Sequence, residues 1–238
     1  MKTRLRILIG QTLLIAALFA AGTLNAGQSA EAPQVVNAKM EMRAVSGTLA
    51  ATLHGIEAQA DKPEWVGYSV PQIAGDRTVC CGNFSDGYGG CGTCRLEKEN
   101  NVTSNSAGST EKNGTVELEG SRQLVVLFRL EGNQVMRIRE ASEDCTLDAG
   151  GLPFIWLTGA KPAESVALLA DFVHGATFEG HGEHEIGQGA LSAIALHADA
   201  SADRAFESFV AADQPEQLRK HASFWLGASR GKSGEVLL

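Results

Sequence analysis

Ser165-Val166-Ala167-Leu168-Leu169-Ala170-Asp171-Phe172-Val173 lines up, position by position, with Ala202-Asp203-Arg204-Ala205-Phe206-Glu207-Ser208-Phe209-Val210, and both stretches end in the same Phe-Val pair. A second pair lies between and after them. Ala190-Leu191-Ser192-Ala193-Ile194-Ala195-Leu196 aligns with His221-Ala222-Ser223-Phe224-Trp225-Leu226-Gly227, so the paired segments recur at spacings of 37 and 31 residues. Each reads as a helix. Leu191, Ile194, Ala195 and Ala198 fall at i, i+3, i+4, i+7, as do Ala202, Ala205, Phe206 and Phe209, and Leu218, Ala222, Trp225 and Leu226 form a similar stripe. Pro162 and Pro215 sit where a first helical turn tolerates a missing N–H, and Gly231 follows Arg230 as a helix stop.

A recurrence of this length is the period of helical solenoids. The segments Leu218-Arg219-Lys220-His221-Ala222 and Phe224-Trp225-Leu226-Gly227 resemble the second helix of HEAT (armadillo-type) repeats, over residues 161–238. The resemblance implies an α-solenoid that presents a protein-binding face, with Arg219, Lys220, Phe224 and Arg230 as anchors wherever they point outward. Trp225 is then a core residue. An ordinary four-helix bundle is the alternative. Ser233-Gly234-Glu235-Val236-Leu237-Leu238 reads as the start of a further helix, which either folds back or leads into a longer protein.

At the other end, Lys2, Arg4 and Arg6 precede an apolar run over residues 7–21, and Leu24-Asn25-Ala26 offers a small residue for cleavage. This predicts a secretory signal peptide over residues 1–26 and a periplasmic or secreted product. Gly10, Gln11 and Thr12 interrupt the run, which argues against a membrane anchor, so no stable membrane insertion is expected after cleavage. The chain carries 20 Lys and Arg against 28 Asp and Glu, and losing three leader cations takes the net charge from −8 to −11. Such a surface repels phosphate, which excludes nucleic acid and favours basic partners.

Residues 37–160 lose the helical period. Residues 42–53, 64–70, 124–130, 135–139 and 152–157 read as strands, and Glu131-Gly132-Asn133-Gln134 reads as a hairpin turn. The prediction is a small, mainly antiparallel β domain. Residues 77–120 are rich in Gly, Ser and Asn, and 100–114 within them are polar and predict a loop; the Asn-x-Ser/Thr triplets at Asn83, Asn101 and Asn113 are products of that wider composition.

All five cysteines fall in this part: Cys80, Cys81, Cys91, Cys94 and Cys145. In an exported chain disulfides are the default, each contributing roughly 2–4 kcal/mol, with Cys80 or Cys81 paired to Cys94 or Cys145. The sharper alternative is a thiol-disulfide or metal-dependent protein centred on Cys80 to Cys94, with Cys91-Gly92-Thr93-Cys94 as its redox pair. Adjacent cysteines are a poor first half of a zinc site, and glycines around Cys91 read as loop rather than a helix start that lowers a thiol pKa. His181 and His184 are three apart in a Gly-flanked segment, which is not the spacing of a zinc protease, and His174, His197 and His221 read as ordinary helix positions. Gly231-Lys232-Ser233 lacks the first glycine of a phosphate-binding loop, and no serine stands in a Gly-x-Ser-x-Gly elbow.

The sequence reading is therefore α+β: a disulfide-stabilised β domain followed by HEAT-like repeats. Its function is an exported, non-enzymatic scaffold for a protein partner, with no cofactor, no metal and no catalytic residue.

Overall fold

The computed structural model describes residues 32–74, 77–80, 83–86, 93–97, 122–178 and 183–237. The predicted leader, the polar segment 100–114, Cys81, Cys91 and His181 lie outside them, as do the side chains of Cys80 and His184. In chain order the described elements begin with β1 (Val35–Val36), β2 (Lys39–Ala44), α1 (Leu49–Glu57), β3 (Glu64–Pro71), β4 (Arg77–Cys80), β5 (Asn83–Asp86) and β6 (Thr93–Arg95). They continue with β7 (Gln123–Glu131), β8 (Gln134–Ser142), β9 (Thr146–Asp148), β10 (Pro153–Thr158), α2 (Pro162–Gly175), α3 (Glu183–Leu196), α4 (Ala200–Phe209), α5 (Glu216–Ser229) and α6 (Gly231–Leu237).

The sheet grows from one hairpin. Gly132 and Asn133 both adopt positive φ (60° and 62°), the conformation a tight two-residue turn requires, and they join β7 to β8 in antiparallel register. β3 adds to β7 antiparallel, and β10 then enters between β2 and β3, parallel to both, giving the order β2-β10-β3-β7-β8. β7 is buried on both faces from Leu124 to Phe128, because a layer covers the sheet on each side. One layer is helical and shares a core with Val66, Tyr68, Phe128 and Ile155; the other is a small parallel sheet, β1-β9-β6, over Trp65, Leu127, Phe154 and Trp156. α3 approaches β8 closely at Gly189, where a Cβ would collide with the Ile138 carbonyl oxygen.

Four expectations are corrected. The helices are not a HEAT-like solenoid, and the physical reason lies in the aligned residues themselves. In the shared Phe-Val pair, Val173 and Phe209 are the buried members while Phe172 and Val210 are half-buried, so the equivalent positions exchange roles. Residues 190–197 are buried on every side, whereas the aligned stretch of α5 is amphipathic with Phe224 and Gly227 exposed. α2 and α3 lie against the sheet and join its core instead of stacking only on neighbouring helix pairs.

The sheet is mixed rather than mainly antiparallel, since β10 pairs in parallel with both neighbours. Residues 42–53 are not one strand: β2 ends at Ala44, and Thr48 caps α1 by accepting a hydrogen bond from the Ala51 amide. The expected disulfide framework finds no Sγ–Sγ pair between two described residues. Cys94 and Cys145 are buried within the smaller hydrophobic layer.

Candidate functional site

The chemically suggestive side chains meet where strand, α2 and α3 touch. Tyr68 projects from β3, Ser165 from the first turn of α2, and His197 follows the last residue of α3. Ser165 Oγ lies 2.7 Å from Tyr68 Oη and 2.8 Å from His197 Nε2, and His197 Nδ1 lies 2.7 Å from the Ala193 carbonyl oxygen. A carbonyl only accepts, so Nδ1 carries the proton, Nε2 accepts from the Ser165 hydroxyl, and that hydroxyl accepts from Tyr68.

A serine hydrogen-bonded to an oriented imidazole has the outline of a nucleophile and its base. Its surroundings give it a different role. All three residues are fully buried in the core, away from any substrate in solution. Burial pushes the His197 pKa down to about 4, with the nearby Arg230 acting in the same direction, which leaves a weak base. Burial also raises the Tyr68 pKa, so its hydroxyl stays a donor. The network is a polar tie that fixes α2 and α3 to β3, each buried group finding a partner.

Two further polar ties hold α3. Ser192 Oγ donates to Glu140 Oε1 at 2.6 Å on β8, and burial raises the Glu140 carboxyl to a pKa of about 7 against the opposing effects of that hydrogen bond and Arg139. At the C-terminal end of α3, Arg230 Nη1 donates to the His197 and Ala195 carbonyl oxygens at 2.6 and 3.3 Å. Its Nε and Nη2 reach Asp203 Oδ1 at 2.9 and 2.6 Å.

The predicted anchors separate accordingly. Arg230, 6% exposed, is structural and drops out of any binding face. Arg219 is half-buried and donates to the Gln214 carbonyl at 3.2 Å, while Lys220 pairs at the surface with Glu216 at 2.7 Å. Phe224, 63% exposed, stands edge-on to the buried Trp225 with ring centroids 5.3 Å apart. Val236 on α6 is 85% exposed.

A cleft of about 310 Å³ opens between the end of α2 and the start of α5, lined by Val173, His174, Phe178, Gln214, Pro215 and Leu218 among others. His174 is the one titratable group among its described lining residues, and it packs edge-on to Phe209 at 5.3 Å. No group of three or more His, Cys, Asp or Glu among the described residues is arranged to hold a metal ion. Cys94 and Cys145 are not free thiols. Cys81, Cys91 and His181 fall outside what is described, as do the side chains of Cys80 and His184.

Sequence reasoning named Phe224, which is exposed, but missed the Tyr68–Ser165–His197 tie. The signal was present. Ser165 interrupts an otherwise apolar stripe of α2, and His197 ends the apolar run of α3; a lone polar residue at a core position needs a partner. No family model, no curated protein and no solved structure matches the chain.

Proposed function

We propose that the chain is an exported, non-enzymatic binding protein that recognises a protein partner through the outer surface of α5 and α6. The observation that carries this reading is Phe224. A phenyl ring held 63% exposed against a buried tryptophan is a braced aromatic anchor, of the kind that dominates binding energy once it enters a partner's pocket. Lys220 and Glu216 lie one and two turns before it on the same face and supply a polar rim, and Val236 adds exposed apolar surface on the next helix. Among the described residues, Tyr68, Ser165 and His197, by contrast, are committed to the core. Export rests on the basic and apolar leader, and the acidic balance of the chain favours a partner with basic surroundings to its pocket.

The test is a photo-crosslinking residue at position 220 of the full chain, expressed in the cells that make it. A discrete protein adduct is expected. Adding Phe224→Asp should lower its yield roughly 30-fold, the equivalent of ~2 kcal/mol for loss of an anchor, without moving the thermal midpoint. No adduct, or one indifferent to Phe224, overturns the reading.

A further inference from the structure

Among the described residues, β2 is an edge strand of the main sheet, and no strand pairs with its other side. β10 covers one flank only, and every residue of β2 is exposed except the half-buried Arg43. Its main-chain directions follow from two contacts. The Val45 amide donates to the Thr158 carbonyl oxygen at 2.9 Å, and the Thr158 hydroxyl lies 3.4 Å from the Arg43 carbonyl oxygen, so odd-numbered residues turn their N–H and C=O towards β10. Met40, Met42 and Ala44 therefore turn theirs outward. Such an edge is a template for another strand.

We propose that this edge pairs with β2 of a second copy, antiparallel, with Met42 opposite Met42 across the twofold axis. Register decides the occupant. With Met42 on the axis, Met40 faces the partner's Ala44 and Ala44 the partner's Met40, so three residue pairs each exchange two main-chain bonds. The closer, non-bonded positions then set Glu41 against Arg43 and Arg43 against Glu41, two opposite-charge pairs. A shift that puts Glu41 on the axis also satisfies the main chain, but it sets Glu41 against Glu41 and Lys39 against Arg43. Like charges directly opposite are destabilising, so that register is rejected.

The face that carries Met42 is the apolar one. Met40 and Met42 are 38% and 55% exposed beside Phe154 and Trp156 of β10, to which they are aligned in register, and pairing extends that apolar surface across the axis. In the monomer Arg43 Nε already holds Glu41 Oε1 at 2.6 Å, so both side chains stand ready at the edge and exchange an internal partner for one across the axis. The result is a continuous ten-stranded sheet, two copies of the five-stranded one. A six-residue seam buries far less than the ~1,600 Å² of a stable complex, so the dimer is weak and concentration-dependent.

Sedimentation equilibrium of the mature full chain across its soluble range tests this. The wild type should show a reversible monomer–dimer equilibrium. Glu41→Arg should raise the dissociation constant about tenfold or more, because both cross-axis pairs become repulsive. The double reversal Glu41→Arg/Arg43→Glu recreates both pairs in the same register and should return the constant to within about threefold of wild type. Thermal midpoints identify any variant whose fold is disturbed, since Glu64 lies near this charge pair. Met42→Lys, which places like charges on the axis and leaves Glu41 and Arg43 in place, is expected to abolish the dimer. A wild type that remains monomeric throughout, a dimer unaffected by Met42→Lys, or a double reversal that fails to restore pairing overturns the proposal.

Discussion

Replacing Arg230 by alanine is expected to remove about 3–5 kcal/mol of stability, the range for breaking a buried ion pair from one side. The guanidinium is nearly fully buried and serves three acceptors at once: the Asp203 carboxylate and the carbonyl oxygens of Ala195 and His197. Those carbonyls belong to the end of α3, whose last turn leaves acceptors without partners inside the helix and whose dipole favours a cation there. Alanine strands all three, and the Asp203 carboxylate remains half-buried beside them. Lysine supplies the charge but not the planar fork, so Arg230→Lys should recover part of the loss only. Chemical denaturation of the three proteins at one pH checks this. An alanine variant within about 1 kcal/mol of wild type would mean that this tie contributes little more than an exposed pair.

Replacing Glu140 by glutamine should stabilise the protein at pH 8 by an amount on the order of 3 kcal/mol and leave it unchanged near pH 4. Glu140 ionises near 4.5 in the unfolded chain and near 7 when buried against α3, so the folded state holds the proton more tightly. Its contribution is fully present below the unfolded value and is lost as pH rises through 7. Glutamine mimics the protonated carboxyl, keeps an oxygen for the Ser192 hydroxyl and does not ionise.

His197 acts in the opposite direction. Its folded pKa of about 4 lies below the ordinary 6.5, so its contribution is present above 6.5 and disappears as pH falls through 4. Between roughly 4.5 and 6.5 the two slopes oppose each other, near 1.4 kcal/mol per pH unit each, and largely cancel. The glutamine variant loses one of them. Its stability should climb across that window where the wild type is level, and subtracting the two profiles removes surface carboxylates common to both. Parallel profiles would place Glu140 in contact with water.

Much of the secondary structure was legible in the chain, and much of the layering was not. The β7–β8 turn announces itself in Gly132-Asn133, and α2, α4 and α5 carry their period openly. α1 left a signal that was misread: Leu49, Leu53 and Ile56 fall at helical spacing behind the Thr48 cap, yet Thr and Val nearby suggested a strand. The apparent repeat arose because similar apolar patterns serve different faces. Phe172 packs on Phe128 of the sheet with ring centroids 5.9 Å apart, while the aligned Phe209 packs on Phe206 at 5.8 Å. The entry of β10 between β2 and β3 joins residues more than a hundred positions apart in sequence, which no local pattern encodes. The polar tie is similar in kind: Tyr68 and Ser165 are 97 residues apart. Phe224 was legible as an aromatic on a helix, and its exposure depended on which face α5 turns inward.

Whether the reactive side chains are structural or catalytic is the question on which the functional reading turns. The most direct measurement is intact mass after incubation of the full chain with a serine-directed fluorophosphonate at neutral pH. A hydroxyl enclosed between Tyr68 and His197 should take up no probe, and the mass should stay that of the untreated protein. A stoichiometric adduct on Ser165 that disappears in His197→Ala would contradict the non-enzymatic reading and make this buried pair an active site that opens.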